Sequence, residues 1–143
     1  MDNNDMCVHF LLGKALQKAS QITKSKLNSY GITPVQFAVL RQLWISDGQL
    51  GSKLGDRLHM DSATMTGILD RMEQKEFVQR QSDPRDRRNR IVYLTEKGRD
   101  LEDPLNQKME EWNKELMTGF NEDDILTFKR MLNTIGFRNI HQS

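Results

Sequence analysis

At 143 residues the chain has room for one compact domain and not for two independent ones. Its apolar content of 36%, with mean hydropathy −0.70, is low for a self-sufficient core, so pairing with a second copy of itself is expected. Twenty-one basic residues against 20 acidic leave a net charge of +1, which excludes a uniformly basic nucleic-acid coat and an acidic disordered tail. Only local charge can then be informative. Cys7 is the single cysteine and cannot close an internal disulfide; no apolar run approaches the roughly 20 residues of a membrane span. With an acidic, polar start where a secretory leader would be basic, these features predict a cytoplasmic protein of a reducing compartment, without membrane contact.

In chain order, Val8, Leu12, Ala15, Leu16, Ala19, Ile22, Leu27 and Tyr30 recur at helical spacing, and Gly31 follows as a left-handed cap, which predicts a long first helix over about 7–30. Thr33-Pro34-Val35-Gln36 has a capping threonine, proline at the first helical position and glutamine at the third, the pattern of a capping box. A second helix starts there and ends at Ser46-Asp47-Gly48. Leu50, Leu54 and Leu58 define a short third helix, His59-Met60-Asp61 a turn, and Met65, Ile68, Leu69 and Met72 the buried stripe of a fourth helix over about 62–76. The opposite face of that helix is small and polar. Phe77–Arg80 and Ile91–Leu94 are β-leaning runs around Ser82–Arg90, predicting a hairpin with a long charged tip over about 80–94. Thr95 caps the next segment. Leu101, Leu105, Met109, Trp112, Leu116 and Phe120 mark a fifth helix, kinked at Pro104, and Ile125, Phe128, Leu132 and Ile135 a sixth that Gly136 stops. The fold class expected is α+β, mainly helical, in a single domain over 1–143.

Helix, helix, turn, helix and charged hairpin is the order of a winged helix-turn-helix. A helix fits the major groove of DNA with its N-terminal residues at base edges, and a basic hairpin beside it can lay arginine in the narrow minor groove. Ser62, Ala63, Thr64 and Thr66 are small enough to approach bases, with Arg71 farther along for phosphate or guanine. Residues 80–90 hold five arginines (Arg80, Arg85, Arg87, Arg88, Arg90) against Asp83 and Asp86, a local charge of +3, whereas residues 99–124 hold three bases and nine acids, −6. The overall +1 is two regions cancelling.

Gly31-Ile32-Thr33, Asp61-Ser62-Ala63-Thr64-Met65-Thr66, Leu69-Asp70-Arg71-Met72-Glu73, Asp83-Pro84-Arg85-Asp86-Arg87-Arg88 and Leu94-Thr95-Glu96-Lys97-Gly98 occur in this order across nearly the whole chain. Together they resemble the MarR family of bacterial transcription regulators. The resemblance implies a homodimer joined through helices at 7–30 and 99–140, with the winged helix-turn-helix at 33–95, the recognition helix at about 62–76 and the wing at about 80–94. It implies a pseudo-palindromic operator in double-stranded DNA with half-sites roughly 34–36 Å apart. Arg88 would enter the minor groove, Asp86 would orient it, and Arg85, Arg87 and Arg90 would complete the basic wing. Members of the family usually repress a nearby operon and release it when a small phenolic or other aromatic effector occupies a pocket between the lobes. His9, Phe10 and Gly13 are the residues expected to line that pocket.

Two alternatives accompany this reading. Some family members sense organic peroxides through a cysteine near the start of the first helix, which directs attention to Cys7; aligned on Gly31-Ile32-Thr33, however, the reactive position falls on His9, and Thr23 and Pro34 stand where supporting tyrosines would be. The other alternative is a winged-helix module that binds protein. His9, His59 and His141 are far apart, without HxxxH or CxxC spacing, so no metal or other cofactor is expected. Neither a phosphate-cradling glycine loop nor a nucleophile elbow is present, and no enzymatic activity is expected.

Overall fold

The computed structural model describes residues 6–138; His141 and the last two residues of the expected 99–140 segment lie outside the described residues. Among the described residues seven α-helices and three strands follow one another. Helix α1 (Val8–Leu27) runs into a 3-10 turn (Asn28–Tyr30) and Gly31, whose φ of 67° is the left-handed stop expected of glycine. Helix α2 (Pro34–Ile45) begins in the expected capping box: Gln36 N donates to Thr33 Oγ1, and Thr33 N donates to Gln36 Oε1, both at 3.2 Å. Strand β1 (Gln49–Leu50) precedes α3 (Gly51–Leu58), and His59 at φ 53° turns the chain into α4 (Ser62–Gln74). Strands β2 (Val78–Asp83) and β3 (Asp86–Leu94) lead to α5 (Glu96–Asp100), α6 (Glu102–Leu116) and α7 (Glu122–Gly136).

Four features depart from expectation. The hairpin tip is not an open loop: β2 and β3 pair in register from Val78↔Leu94 to Ser82↔Arg90, the register then shifts so that Arg87, Arg88 and Asn89 have no partner on β2, and Asp83 pairs with Asp86 across a turn at Pro84 and Arg85. Proline presets the first turn position and Asp83 Oδ1 accepts from Arg85 N at 2.9 Å, so the charged segment closes as a local turn. Leu50, read as the first apolar position of the third helix, instead forms with Gln49 a third antiparallel strand against Ile91 and Val92, giving the sheet order β1-β3-β2. Pro104 lies in the first turn of α6 and does not bend the middle of a rod. Its ring cannot accommodate a continuous helix through the carbonyl four residues earlier, and the chain accordingly breaks at Leu101, between α5 and α6. Helix α4 also stops at Gln74, short of 76, because Glu76 adopts a left-handed φ of 64°.

The core belongs to the winged lobe and the foot of the helical stalk. Leu27 of α1, Val39, Leu40 and Leu43 of α2, Leu54 of α3, Met72 of α4, Val78 and Val92 of the sheet and Leu105 of α6 are sealed from solvent. Trp44 ties the two parts together: its ring meets Phe37 edge-on at 5.8 Å, and its Nε1 donates to Gly98 O at 2.9 Å. Gly98 is buried against the Phe77 carbonyl, where no side chain fits. Helix α7, by contrast, buries nothing. Leu126, Phe128, Met131, Leu132 and Ile135 on α7, and Val8, Phe10, Leu11, Leu12 and Leu16 on α1, are all exposed in the single protomer.

Candidate nucleic-acid interface

Helix α4 separates its two tasks by periodicity. Met65, Ile68, Leu69 and Met72 face the core, while Ser62, Ala63, Thr64, Thr66 and Arg71 are exposed. The exposed set begins at the helix N-terminus, the end that enters a groove. Asp61 holds that end by accepting from Thr64 N at 2.7 Å, and hydrogen bonds from the Thr64 backbone and side chain keep the Asp61 carboxyl below its usual pKa. A capping carboxylate thus fixes the helix start and leaves Thr64 and Thr66 outward.

On the wing, Arg85, Arg87, Arg88 and Arg90 are exposed. Asp86 grips Arg88 from two sides of its carboxylate: Arg88 Nε donates to Oδ1 at 3.1 Å and Nη2 to Oδ2 at 3.2 Å, while Arg88 N donates to Oδ1 at 3.1 Å. These bonds lower the Asp86 pKa. The Arg88 side chain remains 90% exposed, so the pair orients a guanidinium without burying it. Between α4 and the wing lies a groove of about 550 Å³ that brings Ser62 and Thr66 together with Arg88, Asn89 and Arg90. Ala63, Thr64, Arg71, Arg85 and Arg87 are exposed outside it.

Arg80 stands apart from the other arginines. It is held by Glu73 and Asp70 of α4, so the free wing carries four arginines against Asp83 and Asp86, a charge of +2. This contact escaped the sequence reading. Its signal was two carboxylates three residues apart on one helix face, followed by an arginine across a turn.

His9, Phe10 and Gly13 are exposed on α1, and they line neither the groove nor either of two further cavities. One of those, about 370 Å³, lies between α2 and α6 and is lined by Arg41, Trp44, Ile45, Asn106, Met109 and Glu110 among others. The other, about 540 Å³ and largely apolar, lies where α1, α6 and α7 meet, around Leu116, Phe120, Phe128 and Met131. Cys7 is exposed at the N-cap of α1 and makes no capping hydrogen bond. Among the described residues no cluster of histidine, cysteine and carboxylate could hold a metal, and no helix is long and apolar enough to cross a membrane.

The MarR family model matches residues 32–89, from the residue before the α2 capping box to the middle of β3. Over 124 residues, 83% of this chain and 84% of the relative, the sequence is 32% identical to an HTH-type transcriptional regulator of Bacillus subtilis, YsmB. The chain belongs to the MarR family. Solved structures share the fold. BpsR of Bordetella bronchiseptica, whose DNA binding is regulated by 6-hydroxynicotinic acid, has the same fold at TM-score 0.84 and 23% identity, covering 97% of this chain and 99% of that one. Reduced AbfR bound to DNA superposes at TM-score 0.73 with 25% identity, covering 90% and 88%. As a MarR-family chain the protein is a DNA-binding transcription regulator. The winged helix-turn-helix read from residue order is the observed fold, α+β and mainly helical.

Proposed function

We propose that this MarR-family regulator is a repressor whose dimer presents two α4 helices to successive major grooves of a pseudo-palindromic operator. In this reading Ser62, Ala63, Thr64 and Thr66 approach base edges, and Arg71 takes a phosphate or a guanine. Arg85, Arg87 and Arg90 neutralise backbone, and Arg88, held by Asp86, enters the flanking minor groove. The observation that carries it is the groove shared by the start of α4 and Arg88, with the arginine both oriented and almost fully exposed. A free guanidinium would lose side-chain entropy on entering the minor groove; one already held by a carboxylate loses less.

Salt dependence tests the reading. A dimer neutralising about eight phosphates gives a slope of log K against log salt of roughly −7, and Arg88→Ala should make it shallower by nearly 2 if both arginines contact backbone charge. A slope near zero, or an Arg88→Ala protein that binds promoter DNA unchanged, would instead favour a protein-binding winged helix.

Release follows from an effector seated between the lobes. The cleft between α2 and α6 fits this role better than His9, Phe10 and Gly13, because it joins the element preceding the helix-turn-helix to the stalk and carries Trp44 for an aromatic face. An effector bound better to a mis-spaced dimer must reduce DNA affinity by the same coupling, typically about 1–3 kcal/mol. Titrating aromatic acids against Trp44 fluorescence, with Trp44→Phe as control, separates this cleft from one on α1. Oxidant sensing through Cys7 predicts peroxide-dependent release that Cys7→Ser abolishes.

A further inference from the structure

Arg80 is the one arginine of the wing region that the DNA-contact reading leaves without a task. It lies on β2 opposite Val92 of β3, and its side chain is 13% exposed where that of Arg88 is 90%. The guanidinium folds back onto α4: Nη2 donates to Glu73 Oε2 at 2.6 Å and to Asp70 Oδ1 at 2.5 Å, and Nε donates to Glu73 Oε2 at 3.1 Å. Arg80 N adds a bond to Glu73 Oε1 at 3.3 Å. The Arg80 hydrogen bonds hold the Glu73 carboxyl below its usual pKa against the opposing effect of burial.

The position of this clamp matters more than its strength. Helix α4 and strand β2 diverge from a tight turn at Lys75–Phe77, in which Glu76 is left-handed. The chain thus passes from α4 into β2 within three residues, and the angle between the two is set by the side chains that bridge them. Asp70 and Arg80 face each other across this turn, and both line the groove whose far wall carries Arg88, Asn89 and Arg90. A planar guanidinium bridging two carboxylates admits a narrow range of geometries, as an ammonium would not. It also offsets one of the two negative charges on that face of α4.

We infer that Arg80 is a positioning residue: by clamping β2 to Asp70 and Glu73 it sets the angle between recognition helix and wing, so that Arg88 reaches the flanking minor groove while α4 occupies the major groove. Arg80 itself does not touch DNA. The inference rests on the wing reading above.

Two variants with opposite charge effects test it: Arg80→Met lowers protomer charge by one, and Asp70→Asn combined with Glu73→Gln raises it by two. The probe is the duplex that the wild-type dimer selects from a random pool. Hydroxyl-radical cleavage reads the flanking minor grooves, and dimethyl sulfate reads guanines in the central major grooves. If the clamp positions the wing, both variants lose flank protection, keep central protection and lose roughly tenfold in the ratio of specific to non-specific affinity. Arg80→Lys should recover part of it. The salt slope of Arg80→Met stays near wild type, against a drop of nearly 2 per dimer if each Arg80 neutralised a phosphate. Affinities moving in opposite directions with intact flanks would overturn the inference in favour of simple charge; the slope drop would overturn it in favour of direct contact. The double variant preserves side-chain shape and decides the matter even if Arg80→Met folds poorly. Arg88→Ala separates the two levels: if it strips the flanks and the clamp variants do not, the clamp fails alone, and if it leaves them protected, the wing reading fails and the clamp with it.

Discussion

Under the proposed wing reading, Arg88 and Asp86 serve recognition without serving stability. Both are on the surface, and an ion pair there contributes little to folding. Its effect is conformational, since three hydrogen bonds to one carboxylate restrict a side chain that is otherwise free. Asp86→Asn should therefore weaken operator binding even though it makes the wing more positive, whereas a purely electrostatic wing would bind more tightly; fluorescence anisotropy on a labelled duplex distinguishes them. A second residue-scale expectation concerns Gly98. A methyl group there would overlap the Phe77 carbonyl, which belongs to backbone and cannot swing aside. Gly98→Ala should cost about 1–3 kcal/mol and lower Tm by several degrees in a thermal scan. Motif position made Arg88, Asp86 and Gly98 stand out in the sequence. What Gly98 does was not legible there, because its neighbour Phe77 is 21 residues away and is brought alongside only by the hairpin.

Elements were legible where their signals are local. The capping box at Thr33, the stop at Gly31 and the apolar stripe of α4 all rest on residues within one or two turns of each other, and each produces the expected local structure. Strand β1 was missed because two residues carry no periodicity; Gln49 and Leu50 are extended only because β3 offers its edge. The wing was read as a hairpin, but its charged tip was drawn too long. Pro84 and Asp83 close a two-residue turn, and Asp83 pairs with Asp86 beyond a register shift that leaves Arg87, Arg88 and Asn89 unpaired on β3. The α4–β2 clamp gives this scale its own expectation. Because the Glu73 pKa is lowered in the folded protein, the stabilisation is present above the ordinary glutamate range of about 4 to 4.5 and is lost as pH falls through the lower folded value. Glu73→Gln should therefore lower Tm at neutral pH and converge with wild type in acid, flattening the acid side of a Tm-against-pH curve; identical acid slopes for both proteins would show that the pair does not contribute.

The whole molecule is polarised. Acidic α6 and the start of α7 lie on the stalk, the free arginines lie on the wing, and a field arranged this way orients the protein on approach to a polyanion. The apolar side chains exposed on α1 and α7 complete the picture, since each is worth about 1.5–3 kcal/mol when buried and none contributes to the core of its own protomer. Leu132→Glu with Ile135→Glu should therefore leave the winged lobe folded, halve the mass seen in sedimentation and reduce operator affinity at least a hundredfold, the loss expected when two half-sites are no longer linked. Retained dimerisation would move the interface away from α7.

The sequence by itself determined the order of elements, the caps and stops of the helices, which face of α4 is buried, and the segregation of charge, because these depend on neighbours within a few residues. It also carried the family, since the motifs keep their order and spacing. Only the tertiary structure decided that Arg80 belongs to a clamp and not to the basic surface, that Trp44 and Gly98 join the lobe to the stalk, and that the inter-lobe cleft lies between α2 and α6. Those relations link residues separated by a turn, a hairpin or half the chain. Their geometry depends on packing and not on any periodicity that a linear pattern can hold.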